Sequence, residues 1–196
     1  MTAIITLYGA ALGAASVPIA ELARPDARLK IPEHISLVPT MYILIAGALA
    51  GVLLTWPIVR KLPEMVGEQR GWVIWLVFGV IYALFLPFLT GAFLQFSVVF
   101  LWVHTGFIDF GEIPREIVSA MFRVPLQAFV HGAVSLYTGM IAGILFGIGG
   151  YAIDELGHSP NALVHKYAPW GIALAVGTMT IAFGVWGPAS TVAKFG

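Results

Sequence analysis

Histidine carries the chemistry most open to a chain of this kind. His34, His104 and His131 fall at one end of its apolar segments, and Asp109 and Glu112 lie between the last two. Imidazole together with carboxylate binds zinc, copper or iron. Two imidazoles on facing helices hold a haem. His131 is the sharpest candidate, because it alone sits inside a long apolar run, Val124 to Ile153. An ionisable group within a membrane segment marks function by default. Ser135, one turn deeper on the same side, is placed to orient it.

Against a cofactor stand three facts. His34 and His104 are at run ends, where a polar ring tip reaches water. A bis-histidine haem needs two histidines at depth, and only His131 qualifies. No HExxH or paired in-helix histidine motif occurs. The expectation is therefore no cofactor, with haem or metal at His131, His104 and His34 as the alternative. At the opposite end Asp154 and His158 are four residues apart, with His165 beyond. That spacing is one helical face, and solvated interfacial charge is the expected reading.

The strongest pattern is made of glycine. His131, Ser135, Gly139, Gly143 and Gly147 recur every four residues, and Tyr151 follows. Four residues turn 400° on an α-helix, so they form a slowly winding stripe. Gly47 and Gly51 repeat the spacing, as do Gly9 and Gly13. Small residues so placed let another backbone approach closely. The second backbone belongs either to this bundle or to another subunit. The sequence holds no Cys, which excludes disulfides, thiolate catalysis and cysteine-held iron–sulfur clusters. It holds no P-loop, dinucleotide fingerprint or GxSxG. Gln95 and Ser97 are the notable polar side chains late in the run Trp72 to Val103. With no acid at mid-membrane, a proton relay or sodium site has little support.

These residues must be positioned by membrane helices. The 196 residues are 59% hydrophobic and 10% charged, with mean hydropathy +0.92. Soluble domains carry roughly 25% charged residues. Trp72 to Val103 holds no Asp, Glu, Lys, Arg or His, and ~20 apolar residues already suffice to cross a bilayer. Charges cluster between the apolar runs and mark the loops. The pattern predicts an all-α polytopic helix bundle, one membrane domain over 1–196. Five helices are expected, at about 3–20, 39–58, 72–103, 126–152 and 169–187. The count falls to four if the Ala- and Gly-rich first run does not span. A short amphipathic helix over about 114–122 is expected at the interface. Pro87 marks a kink in the third run. All six tryptophans lie near run ends, where indole prefers the membrane–water boundary.

Loops alternate between two faces. Face A holds Arg24, Arg28, Lys30, Arg115, Arg123 and Lys194; face B holds Arg60, Lys61, Arg70 and Lys166. The positive-inside bias makes face A cytoplasmic, with the N-terminus outside and the C-terminus inside. No basic segment precedes the first apolar run, so it reads as an inserted helix and not as a secretory signal. Ten basic residues balance ten acidic ones, which gives no footprint for nucleic acid. The expected function is a non-catalytic integral-membrane subunit, packed through its glycine seams into a larger, energy-converting complex. Its partners are lipid and other membrane subunits, and its location a bacterial or archaeal cytoplasmic membrane. The alternatives are a haem-, metal- or quinone-binding anchor subunit, and a small transporter or channel component.

Overall fold

The computed structural model describes residues 1–22, 37–66 and 71–186. His34 and the basic residues Arg24, Arg28, Lys30, Arg70 and Lys194 lie outside the described residues. The described elements are all helical: α1 Thr2–Leu22, α2 Leu37–Val66, α3 Trp72–His104, α4 Ile113–Val134, α5 Leu136–Leu156 and α6 Ala162–Trp186, with a 3-10 turn at Phe110–Glu112 before α4. Met41–Arg60, Trp72–His104, Phe110–Val134 and Leu136–Leu156 are long and apolar enough to cross a membrane. The chain is thus an all-helical integral membrane protein. Helix is the form such a sequence takes, because hydrocarbon offers backbone groups no other partner. The apolar part of α1, Thr2–Val17, is shorter.

α3 is the mast of the bundle. Its 33 residues rise roughly 50 Å at 1.5 Å each, well beyond the ~30 Å hydrocarbon core, so it tilts or protrudes. Pro87 sits inside it. The chain leaves α3 through Gly106, whose φ of +74° suits a residue without Cβ. Asp109 and Glu112 then form a reciprocal capping box, with Glu112 accepting the Asp109 N–H at 3.2 Å. That box and a proline in the first turn start α4.

α4 and α5 both run antiparallel to α3 and lie end to end along it. Gly79 and Ala83 of α3 meet Gly143 and Gly139 of α5, whereas Phe88 and Gly91 meet Gly132 and His131 of α4. The two helices follow one another along the single rod of α3. This corrects the expected boundaries. The helix expected over about 114–122 continues through Pro125 to Val134, and the one expected over 126–152 is interrupted at Ser135. Ser135 has φ −99° and ψ 13°. Its carbonyl accepts the Thr138 and Gly139 N–H groups and the Thr138 hydroxyl, which tightens the turn. The break lies beside Phe88 and Pro87, since Gly132 before it meets Phe88 and Gly139 after it meets Pro87. Pro125 lies inside α4 without ending it, as interior prolines do in membrane helices, where local adjustment re-satisfies the freed backbone group.

α1 crosses α2 closely and runs alongside α6. Tyr82 of α3 and Phe146 of α5 stack at 4.5 Å, Tyr8 joins at 6.3 Å, and Trp75 meets Phe146 edge-on at 6.1 Å. The hydroxyl of Tyr8 donates to the Leu145 carbonyl at 2.7 Å, and that of Tyr82 to the Gly9 carbonyl at 2.5 Å. Thr180 of α6 donates to the Ala11 carbonyl at 3.2 Å. Each bond removes a hydroxyl from hydrocarbon, where an unpaired one is costly.

Candidate functional site

The glycine stripes are used inside the chain. A methyl group on Gly13 would overlap the Gly47 carbonyl, and one on Gly51 would overlap the Gly9 carbonyl. α1 and α2 therefore touch backbone to backbone. On α5, Gly139 lies under Pro87 and the Ala83 carbonyl, Gly143 against Gly79 and Ala83, and Gly147 beside the Trp75 carbonyl. Pro87 lacks an N–H and leaves the Ala83 carbonyl without its usual helical partner, and only a glycine at 139 lets α5 close over that point. The five sequence-selected glycines face α1 or α3 of this chain, and none of these contacts leaves a seam open for another subunit.

The candidate histidines do not converge. His131 packs its Cβ beside Gly91. His104 closes α3 thirteen residues further on, with its ring 6.1 Å from that of Tyr42. Thirteen residues are roughly 20 Å of helix rise, so the two imidazoles stand at different depths. His34 lies outside the described residues. Among the described residues no group of three His, Asp or Glu side chains comes close enough to hold a metal. Thr90 of α3, 1% exposed, has the one buried side-chain polar atom without a hydrogen-bond partner among the described residues.

The polar chemistry sits at face B, at residues expected to be solvated. Asp154, at the end of α5, is 5% exposed. Its Oδ2 accepts the indole N–H of Trp75 at 3.3 Å. Gly150 leaves room for that indole, since a methyl there would strike its six-membered ring. Trp75 is accordingly a core residue and not an interfacial anchor, unlike the exposed Trp56, Trp72 and Trp170. Nδ1 of His158 donates to the Asp154 carbonyl at 2.7 Å and lies 3.6 Å from Oδ1. Imidazole at a helix C-terminus interacts favourably with its dipole. The sequence signal was the four-residue step from Asp154 to His158. What it lacked was the indole approaching from α3.

Beside this corner a half-open cleft of roughly 440 Å³ is lined by Met1, Ile4, His158, His165, Lys166 and Trp170, among others. Asn161 caps α6 beneath it, its side-chain oxygen accepting the Leu163 N–H at 3.0 Å and the Val164 N–H at 3.4 Å.

The last feature is a surface. α4 buries only Ala120 and Gly132. Val118, Met121, Phe122, Leu126 and Phe129 are 53–83% exposed. Within this apolar field Arg123 lies 3.7 Å from Glu116 and donates from Nε to the Ser119 carbonyl at 3.3 Å.

No family model, curated protein or solved structure matches this chain.

Proposed function

We propose that this protein is a non-catalytic integral-membrane subunit that docks the transmembrane helix of a larger partner on the outer face of α4. The observation that carries the reading is that uncovered face. α4 packs on α3 and leaves Val118, Phe122, Leu126 and Phe129 without a helical neighbour among the described residues. Lipid alone covers apolar side chains well, but it covers Arg123 and Glu116 poorly, since charge in hydrocarbon is expensive. A partner helix covers both kinds of side chain. The mode of docking differs from the glycine-seam mode, because those seams are filled by α1 and α3. The separation of His104 from His131 gives the cofactor-anchor alternative no added support. The same reading keeps the N-terminus outside and α4 toward the cytoplasm, from the excess of basic residues on face A.

The test is native electrophoresis of the chain extracted from its own membrane in mild detergent. The parent should migrate far above its 21.0 kDa. Phe122→Ala with Phe129→Ala should migrate alone while keeping its thermal stability, since neither ring touches the core. Truncating two anchors at the centre of an interface costs about 2 kcal/mol or more each. A parent that migrates alone, or a variant that stays assembled, contradicts the reading.

A further inference from the structure

We infer that the turn between α3 and α4 is seated in the lipid headgroup layer at face A, with the rings of Phe107 and Phe110 reaching the acyl boundary. The two spans that it joins, Trp72–His104 and Phe110–Val134, are separated only by Thr105 to Asp109. So short a link keeps the turn at the membrane surface. Phe107 is 73% and Phe110 80% exposed.

The turn is fixed by its own hydrogen bonds. The Thr105 N–H donates to the Leu101 carbonyl at 2.9 Å, the Gly106 N–H to the Val103 carbonyl at 3.1 Å and the Phe107 N–H to the Trp102 carbonyl at 2.9 Å. The Asp109 N–H goes to the Glu112 carboxylate, and the Glu112 N–H to the Asp109 carbonyl at 2.9 Å. The reciprocal box engages both carboxylates with backbone donors. A segment whose donors lack partners is kept away from hydrocarbon; this one can lie at its edge. A fixed turn also cannot fold its two rings away from water, so lipid is what removes them from it. Apolar rings at the acyl boundary are the mark of interfacial segments.

The turn at the other face shows the contrast. Residues 157–161, between α5 and α6, are Gly157, His158, Ser159, Pro160 and Asn161. That turn has the same length and no large apolar side chain.

Seating the turn in lipid decides how α3 fits the bilayer. Trp72, 63% exposed at its first residue, sets the face B end at headgroup level, where indole is preferred. A rod of roughly 50 Å held between two headgroup levels ~40 Å apart tilts by roughly 35°, within the range of membrane helices. α3 therefore tilts and does not protrude. The inference is independent of the docking reading, because a partner can cover the outer face of α4 while the turn lies in lipid.

The experiment uses the full chain, which has no cysteine of its own, in phosphatidylcholine vesicles with a nitroxide label on one introduced cysteine. Collisions with oxygen report lipid, and collisions with a water-soluble nickel chelate report solvent. Gly111→Cys places the label beside the rings and leaves both intact, at a site where nothing lies within 4 Å of a Cβ. Leu84→Cys, at an exposed position inside α3, is the hydrocarbon reference. Pro160→Cys, in the face B turn, is the aqueous one. The label at 111 should collide with oxygen more, and with nickel less, than the label at 160. Adding Phe107→Ser and Phe110→Ser should shift its oxygen-to-nickel ratio several-fold toward that at 160. The inference is overturned if the label at 111 matches that at 160 with both rings present, or if removing the rings leaves it unmoved. Shielding from both agents would also overturn it, since protein and not lipid would then cover the turn.

Discussion

Gly143→Leu separates a seam that holds this chain together from one that holds a partner. The four heavy atoms added by leucine have no free volume to enter. The first already overlaps the Ala83 methyl group and the Gly79 carbonyl oxygen, and backbone cannot yield as a side-chain tip does. α3 and α5 must separate, which loosens the stack of Tyr82 on Phe146 and the edge contact of Trp75. Overpacking of this kind costs about 1–3 kcal/mol, and the upper end applies because backbone is the obstacle. That is a large share of a stability of about 5–15 kcal/mol. The assay is detergent-titrated unfolding followed by tryptophan fluorescence. Gly177→Leu on α6 serves as control, since nothing lies within 4 Å of a Cβ there. The control should stay within about 0.5 kcal/mol of the parent. If Gly143→Leu is as stable as the parent and only its assembly is lost, the seam faces a partner and the internal crossing is refuted.

Three further outcomes follow from the same contacts. Trp75→Phe removes the donor to buried Asp154 and should cost about 1–3 kcal/mol; adding Asp154→Leu should recover part of it, and no recovery in the double-mutant cycle would mean that the hydrogen bond carries nothing. Thr90→Val replaces an unpaired buried hydroxyl by a group of like shape, so unfolding should show equal or greater stability; a clear loss would reveal a partner for that hydroxyl. His131→Ala should cost about 0.6–2 kcal/mol, as interhelical polar contacts do, with no change in absorption spectrum; a haem band or a stoichiometric metal lost with His131 would restore the cofactor alternative.

Much of this architecture is legible in the sequence because hydrophobicity and charge clustering act over whole segments. The bounds of α3 come straight from the charge-free stretch Trp72 to Val103. The close crossings come from glycines at every fourth position. The break in the fourth apolar run was misplaced, because Pro125 is a visible breaker while Ser135 is not. Ser135 breaks the helix by a local turn in which its carbonyl accepts the Thr138 and Gly139 N–H groups, and a lone serine in an apolar run does not announce such a turn. The Asp154 corner was misread for another reason. Its burial depends on an indole 79 residues away in the chain and on the space left by Gly150, and a one-dimensional reading sees only a charge at the end of an apolar run. His104 and His131 share a face of the loop diagram yet differ in depth, which the diagram does not record.

The reading of α4 as a docking face is tested most directly where it stands, in the native membrane. A photo-crosslinking residue at Phe122, 83% exposed on α4, can be compared with one at Met179, 70% exposed on α6. A subunit docked through α4 gives one discrete protein adduct from position 122, and none from 179. Lipid adducts alone at both positions, in membranes where the chain is present at its natural level, would contradict the account.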